Sequence, residues 1–326
     1  MTSDTVNRLH RKVHFHNSFF ARSADPRYRW AAPGEKSTMP EILDYEGSNY
    51  RTDFWEGKGR DYEDQVERIA IRRLLPASGQ RLLDVGAGFG RYTNLFEGYQ
   101  QVVLMDYSRS QLEYAHQTYG DAGFLYVAAD VYNMPFAPGL FDGAVMIRVL
   151  HHMQQPPAAL SSIRRVMRQH GVFVLEYANK QNLKAILRWM LRRQDWNPFD
   201  LSPVEFVKLN FDFHPRYITR TLAAAGFTSG QTLTASHFRV GLIKRLVPSA
   251  ILVALDSVFQ WSGELWQLTP SVFVRNIAAG ADQAAPDGAF WRCPACGGYD
   301  LSEKGDTISC RCGKRWQRQN GVWDFK

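Results

Sequence analysis

The chain has 326 residues, enough for one large domain or two and for a substantial buried core. Its composition is that of a globular protein, 45% hydrophobic and 22% charged. No stretch approaches the roughly 18 uninterrupted apolar residues of a spanning helix. The polar, basic first twenty residues precede no apolar run either. Membrane-spanning and secreted classes are therefore set aside, and a cytoplasmic location is expected. The net charge of +7 is compatible with RNA, with an anionic membrane surface, or with no acidic partner at all.

Residues 1–48 are basic and aromatic without periodicity and read as an arm or cap. From Asp61 to Leu75, Val66, Ile69, Ala70 and Leu74 recur at helical spacing, and Pro76 and Gly79 close that helix. Strands then alternate with helices. "RLLDVG", "QVVLMDYS", "FLYVAAD", "FDGAVMIRV" and "GVFVLEYA" are five buried strands, with helices over Ser110–Thr118 and Pro157–Arg168 among them. Gly171 is expected where the second of these helices ends. This alternation predicts a parallel sheet with helices on both faces. The segment 182–226 holds at least two helices. "TLTASHFRV" and "TPSVFVRNI" are two further strands, and residues 280–289 lie in a linker rich in Ala, Gly, Asp and Pro.

The first strand runs into "LLDVGAGFGRY". Glycines between a strand and a helix let backbone N–H groups approach a ligand. The dinucleotide pattern G-x-G-x-x-G fails here, because the third glycine comes one residue early. What stands instead is Asp84-x-Gly86-x-Gly88-x-Gly90, and an acid placed before the glycines suits an ammonium better than a pyrophosphate. Asp106 ends the second strand, where a carboxylate can accept from both ribose hydroxyls. Asp130 follows the third, where it can accept from an adenine amino group. Each acid alone could be a helix cap; three in series point to a nucleoside carrying an amino acid.

On "LLDVGAGFGRY", "VVLMDYS", "AADVYNMPF", "FDGAVMIRVLHHM" and "VLEYANK", the sequence resembles the class I S-adenosylmethionine-dependent methyltransferases, of the type 11 kind, over roughly residues 49–279. The resemblance implies a Rossmann-like, seven-stranded, mostly parallel α/β sheet whose last strand is antiparallel. It places Asp84, Gly86, Ala87, Gly88 and Gly90 at the methionine end, Asp106 at the ribose, and Tyr107, Asp130 and Val131 at the adenine. Arg148 would lie near the methionine or the acceptor. The Asn/Asp-Pro-Pro-aromatic loop of members that methylate exocyclic amines is replaced by Arg148-Val149-Leu150-His151. The chain is similar instead to the small-molecule branch, including quinone-biosynthesis C-methyltransferases.

Candidate bases lie beyond the fourth and fifth strands. They are His151, His152, Glu176 and Tyr177, with His214 further on. Adjacent histidines point apart, so at most one of His151 and His152 faces a site. The region 180–226 is expected to build the acceptor pocket, with aromatics from "NPFDLSPVEFVKLNFDFHPRY". In its first helix, Leu183, Ile186, Leu187, Met190 and Leu191 form an apolar face beside a Lys184, Arg188, Arg192 stripe. That helix fits a membrane surface feeding in a lipophilic acceptor, contact with RNA phosphates, or a packed helix with a solvated basic side.

The last 37 residues, 290–326, carry all four cysteines. Cys293 and Cys296 form C-x-x-C, and Cys310 and Cys312 form C-x-C, each pair followed by glycine. Four thiolates in two close pairs suit a closed, structural tetrahedral zinc site; disulfides are the rival. The tail resembles the small zinc-ribbon proteins that activate methyltransferases, and the zinc module of some bacterial rRNA guanine methyltransferases. The expected function is methyl transfer from S-adenosylmethionine to a small lipophilic or aromatic acceptor. The alternatives are an RNA methyltransferase that docks through the ribbon, and a cofactor-binding module without turnover. The ribbon could also serve self-association or a protein partner.

Overall fold

A strand buried on both faces needs apolar residues at successive positions rather than at alternate ones. β1 (Gly79–Val85) meets this with Leu82 and Leu83, both fully buried and belonging to opposite core layers. The computed structural model describes residues 40–48, 51–55, 57, 59–280 and 285–326. Ahead of β1 lies α1 (Asp61–Leu74), which buries Val66, Ala70, Ile71 and Leu74. After it come β2 (Tyr99–Asp106), α2 (Arg109–Tyr119), β3 (Phe124–Ala128), β4 (Phe141–Met146), α3 (Pro156–Val166) and β5 (Met167–Ala178). Then follow α4 (Leu183–Met190), the hairpin β6 (Val204–Val207) and β7 (Asn210–Asp212), α5 (Pro215–Ala224) and β8 (Phe227–Ala235). α6 (Gly241–Leu246), α7 (Ser249–Phe259) and β9 (Ser271–Ala278) complete this part. The tail adds β10 (Leu301–Lys304), β11 (Thr307–Cys310), β12 (Arg315–Gln319) and β13 (Val322–Asp324).

Seven of these strands stand in the order β3-β2-β1-β4-β5-β9-β8, with β9 antiparallel to both of its neighbours. The chain leaves β1 toward β2 on one side and β4 lies on the other, so the carboxyl ends of β1 and β4 open a crevice where an α/β sheet binds ligands. α3 and α5 cover one face, and α1, α2 and α7 the other.

The expectation of seven strands is corrected: the sheet among the described residues has eleven. β13 pairs in parallel with β3, Val322 opposite Tyr126 and Asp324 opposite Ala128, and β12, β11 and β10 continue outward. The tail is thereby an extension of the central sheet. Trp291 bridges to Phe136 and stacks on it with ring centroids 5.8 Å apart, and Trp323 and Phe325 join the same core.

Two local expectations also change. α3 stops at Val166, and Gly171 sits inside β5, where the pairing jumps from Phe141–Met167 to Gly143–Val172. The bulged residues 168–170 end in His170 at φ 64°, and they displace the helix end that Gly171 alone suggested. α4 ends at Met190, so Arg192 falls beyond the helix, at φ 54°, and the basic stripe is not continued by helical geometry.

Candidate functional site

The loop after β1 is shaped by its glycines. Gly86 has φ 73°, and a Cβ there would fall 2.3 Å from Val149 Cγ2. Only glycine fits both constraints. Gly86 and Ala87 donate their N–H groups to Met105 O at 2.7 and 3.1 Å, and Gly88 donates to Asp106 Oδ2 at 2.7 Å. Gly90, at φ 79°, sits behind the loop, where a Cβ would meet Thr93 and Tyr119 at 2.9 Å.

Around this loop is a cleft of about 930 Å³, its open mouth included, at the carboxyl ends of β1, β2 and β4. Of the residues expected to hold a cofactor, Asp84, Gly86, Ala87, Gly88, Asp106, Tyr107, Val131 and Arg148 line it. Gly90 and Asp130 do not. Asp130 caps the short helical turn 131–133, its Oδ1 accepting from Tyr132 N at 2.8 Å. The cleft also takes Ile42, Leu43, Tyr45 and Trp55 from the segment before α1. Of the stretch 1–48 expected to form an arm or cap, residues 40–48 pack at the site, with Ile42 bridged to Met153; residues 1–39 lie outside the described residues.

Asp84 is buried at the base of the cleft, and its Oδ2 has no hydrogen-bond partner. Burial, the Asp106 charge next to it, and only partial relief from Arg91 push its carboxyl up to about 7. An ammonium placed there would supply the missing charge and donor. Asp106 is held by Gly88 N and by Ser108 N, and burial again raises its carboxyl above the usual range. These residues fit the amino-acid end and the ribose of S-adenosylmethionine: a lone carboxylate, a glycine cradle open to close approach, and a second carboxylate one strand away.

Arg148 follows β4 at φ 60° and is held from two sides. Its backbone N donates to Glu176 Oε2 at 2.8 Å, and its Nε donates to Glu67 Oε1 at 2.7 Å. Glu67, fully buried on α1, also receives Arg91 Nη2 and the Tyr92 hydroxyl, each at 2.6 Å. Arg91 lies in turn over the Trp55 ring, 3.4 Å from its centre.

Among the five residues expected as candidate bases, His152 lines the cleft, and Glu176 is buried behind it, accepting from Arg148 N and from the Ser271 hydroxyl. Its Nε2 is 3.3 Å from the Tyr45 hydroxyl and its Nδ1 is 3.2 Å from Leu209 O, between β6 and β7. Burial lowers its pKa, which the contact with Leu209 O partly offsets, so the ring is neutral at pH 7. His151 is turned inward and held well below the usual histidine range by burial first and by His152 next, its ring 4.0 Å from that of His152. Tyr177 is buried, donating to Gln267 Oε1 at 2.9 Å. His214 caps α5, its Nδ1 accepting from Arg216 N at 3.1 Å. Neither Tyr177 nor His214 lines the cleft.

The aromatic acceptor wall expected from 197–217 is also placed elsewhere. Phe213 is in the core, stacked on Tyr217 at 5.9 Å, and Phe199 and Phe206 are exposed. The apolar wall of the cleft comes instead from Ile42, Leu43, Trp55, Phe89 and Met153.

In the tail, the four sulfurs of Cys293, Cys296, Cys310 and Cys312 lie within 4.8 Å of one another. The pairs Cys293–Cys312 and Cys296–Cys310 are each 3.7 Å apart. A tetrahedron with Zn–S bonds of about 2.3 Å has sulfur–sulfur edges of about 3.8 Å, whereas a disulfide needs about 2.05 Å. The donor set therefore fits zinc, and the four thiols are unpaired as disulfides. Gly297 at φ 74° and Gly313 at φ 92° turn the two knuckles, and Cys296 N and Gly298 N point at sulfurs of the first.

A family profile described as a methyltransferase domain matches residues 83–175. An O-methyltransferase of Penicillium expansum is 33% identical over 149 residues, 42% of this chain and 54% of that protein. A demethylmenaquinone methyltransferase of Clavibacter sepedonicus is 31% identical over 147 residues, 44% and 58%. The chain spans about half the length of these curated relatives. Among solved structures, a chain from the complex between the Haloferax volcanii Trm112 methyltransferase activator and a methyltransferase superposes with a TM-score of 0.49 at 14% identity, covering 69% of this chain and 95% of that one. The stretch that the family profile matches, 83–175, runs from within β1 to within β5 and includes the glycine loop, Asp106, Asp130, Arg148, His151 and His152.

Proposed function

We propose that the protein is an S-adenosylmethionine-dependent methyltransferase acting on a small apolar acceptor that carries a hydroxyl or enol. The observation that carries this reading is the buried, unpartnered Oδ2 of Asp84 beneath the glycine loop. S-adenosylmethionine, when bound, supplies an electrophilic methyl on a sulfonium. Asp84 would take the ammonium, the open cradle of Gly86 to Gly88 would let the methionine chain approach the loop closely, Asp106 would take the ribose hydroxyls, and Tyr107 and Val131 the adenine. The apolar wall of Ile42, Leu43, Trp55 and Met153 excludes water and orients the acceptor, so that positioning does most of the work.

His152 would take the acceptor's proton. It is neutral at pH 7, lies on the cleft wall, and has its Nδ1 side anchored at Leu209 O, which leaves Nε2 toward the Tyr45 hydroxyl and the cleft. Hydroxyl acceptors are favoured because the relatives include proteins named as O-methyltransferases. The four tail cysteines would hold a structural zinc ion, which at four thiolates has no open position for chemistry.

Calorimetric titration with S-adenosylmethionine, followed by transfer of its labelled methyl to an organic extract of host cells, tests the reading. Saturable binding that Asp84→Ala abolishes, with label in small organic-soluble products, is expected. Binding without transfer to any fraction would favour a non-catalytic module, and label in RNA would overturn the small acceptor.

A further inference from the structure

The outer side of α7 and the chain that follows it are apolar where a water-facing surface is ordinarily polar. Leu252 and Val253 turn inward, but Ile251, Leu255 and Val258, at i, i+4 and i+7, face out. Leu265 and Trp266 follow, 79% and 70% exposed. α4 buries only Ala185, while Leu183, Leu187 and Met190 stand out. The two regions are joined, because Leu183 N donates to Leu268 O at 2.8 Å. Single exposed apolar residues are common, but a contiguous patch of this kind marks a docking face.

Charge identifies what the face docks on. Residues 183–193 contain Lys184, Arg188, Arg192 and Arg193 and no acid, and all four are exposed. Residues 239–268 add Arg239, Lys244 and Arg245 against two acids, Asp256, which is buried, and Glu264, which accepts from Thr232 N at 2.9 Å. Arg239 and Lys244 engage Glu63, and Arg245 is exposed. A second copy of the chain would bring the same basic rim against this one. Residues 1–39 carry seven Lys and Arg against three Asp and Glu, so their composition supplies no anionic complement to this rim. An anionic lipid surface offers the opposite charge together with an apolar interior.

We propose that the α4 and α7–Leu268 face seats the protein on the surface of an anionic bilayer. Leu187, Met190, Leu265 and Trp266 would enter the boundary between headgroups and acyl chains, and the α4 basic residues would lie at the phosphates. The docking does not depend on the chemistry in the cleft.

The test is co-sedimentation of the full chain with phosphatidylcholine vesicles, with and without phosphatidylglycerol, at low and high salt. Binding is expected with phosphatidylglycerol and weakens with salt. Leu187→Glu with Trp266→Glu is expected to lower the partition coefficient by at least about tenfold, and Arg188→Glu with Arg192→Glu to remove the preference for the anionic lipid. Because these side chains are exposed, melting temperatures stay unchanged; should the double glutamate variant unfold, Leu265→Ser alone carries the test. The proposal is overturned by absence of binding to the anionic vesicles, by equal binding of the folded variants, or by self-association that the same substitutions abolish without vesicle binding.

Discussion

The ammonium of Lys326 sits 4.8 Å from the centre of the Tyr107 ring, so the last residue of the chain touches a wall of the cleft. The residues before it are fixed to the same place. Phe325 N donates to Ala128 O at 2.8 Å, and Asp324 meets Arg109 at 3.4 Å. β13 is three residues long and is held by β12, which the cysteine knuckles anchor through β11. A tail of 37 residues buries little core by itself, so the metal would supply much of its order. Removing zinc with a chelator is therefore expected to lower the melting temperature and also to weaken S-adenosylmethionine severalfold in calorimetry. Lys326→Ala is expected to weaken it by a factor of about two to five, the scale of one exposed cation–π contact, without shifting the melting temperature. Metal loss that leaves cofactor affinity untouched would separate the tail from the site.

Asp84 sets a pH dependence whose sign is fixed. The folded chain keeps this carboxyl protonated up to about 7, while the free side chain ionises at 3.8. The unliganded protein therefore loses stability through this group as pH rises from about 4 to 7. A bound ammonium reverses the preference and draws the carboxylate form, so cofactor affinity rises with pH through about 7 and proton release accompanies binding below it. Asp84→Asn is expected to flatten both profiles and to weaken binding by about tenfold or more, the cost of losing one buried charge-assisted contact. Titrations in two buffers of different ionisation enthalpy measure the proton release directly.

His152 is separable from the other candidates by kinetics. His152→Asn is expected to reduce kcat by about 10²–10⁴-fold while cofactor affinity stays within about a factor of two, since its hydrogen-bond partners, Tyr45 and Leu209, are not among the residues proposed to hold the cofactor. Its pKa is lowered from 6.5, so the acid limb of kcat falls below that value and is distinct from the limb near 7 that Asp84 gives to binding. Tyr177→Phe and His214→Asn should leave kcat and its pH profile nearly unchanged. His214→Asn keeps a side chain that can still cap α5. Should His152→Asn keep the wild-type kcat, the acceptor needs no base from this wall.

The part of the site that was legible in sequence is the part built locally. Asp84, the glycines, Asp106 and Arg148 all sit at strand ends, where a buried hydrophobic run stops and the next residue must face the crevice. The cysteine quartet was legible for a similar reason, since each knuckle is made within a few residues. Ile42, Leu43, Tyr45 and Trp55 were not, because they come from a stretch without periodicity and reach the cleft only through long-range contacts such as Ile42 with Met153. The fusion of the tail to the sheet was equally hidden. Val322–Asp324 is too short to read as a strand, and its partner β3 lies almost 200 residues earlier in the chain. Spacing put the apolar residues of α4 on one face, but it could not tell that this face would remain uncovered.

Glu67 supports the wall of the cleft from behind, and its removal should be costly. It is fully buried and is met by Arg91, Arg148 and the Tyr92 hydroxyl, while the two arginine side chains are only 10% and 15% exposed. Burial alone would raise its carboxyl, but Arg148 and then Arg91 outweigh it and hold the value below 4.5. Glu67→Ala removes the buried anion that Arg148 and Arg91 share, while Arg91 keeps Asp64 at 2.9 Å, and the loss is expected to cost about 3 kcal/mol, the lower end for a broken buried pair. Glu67→Gln keeps the volume and part of the hydrogen bonding and should cost less. With a depressed folded value, the wild-type contribution is present above pH 4.5 and is lost as pH falls through the lowered pKa. Urea unfolding at pH 7 and near pH 3 is expected to show a large gap between wild type and Glu67→Gln at the higher pH and a smaller one at the lower. A gap that does not close on acidification would mean that packing, rather than the carboxylate charge, holds Arg91 and Arg148 in place.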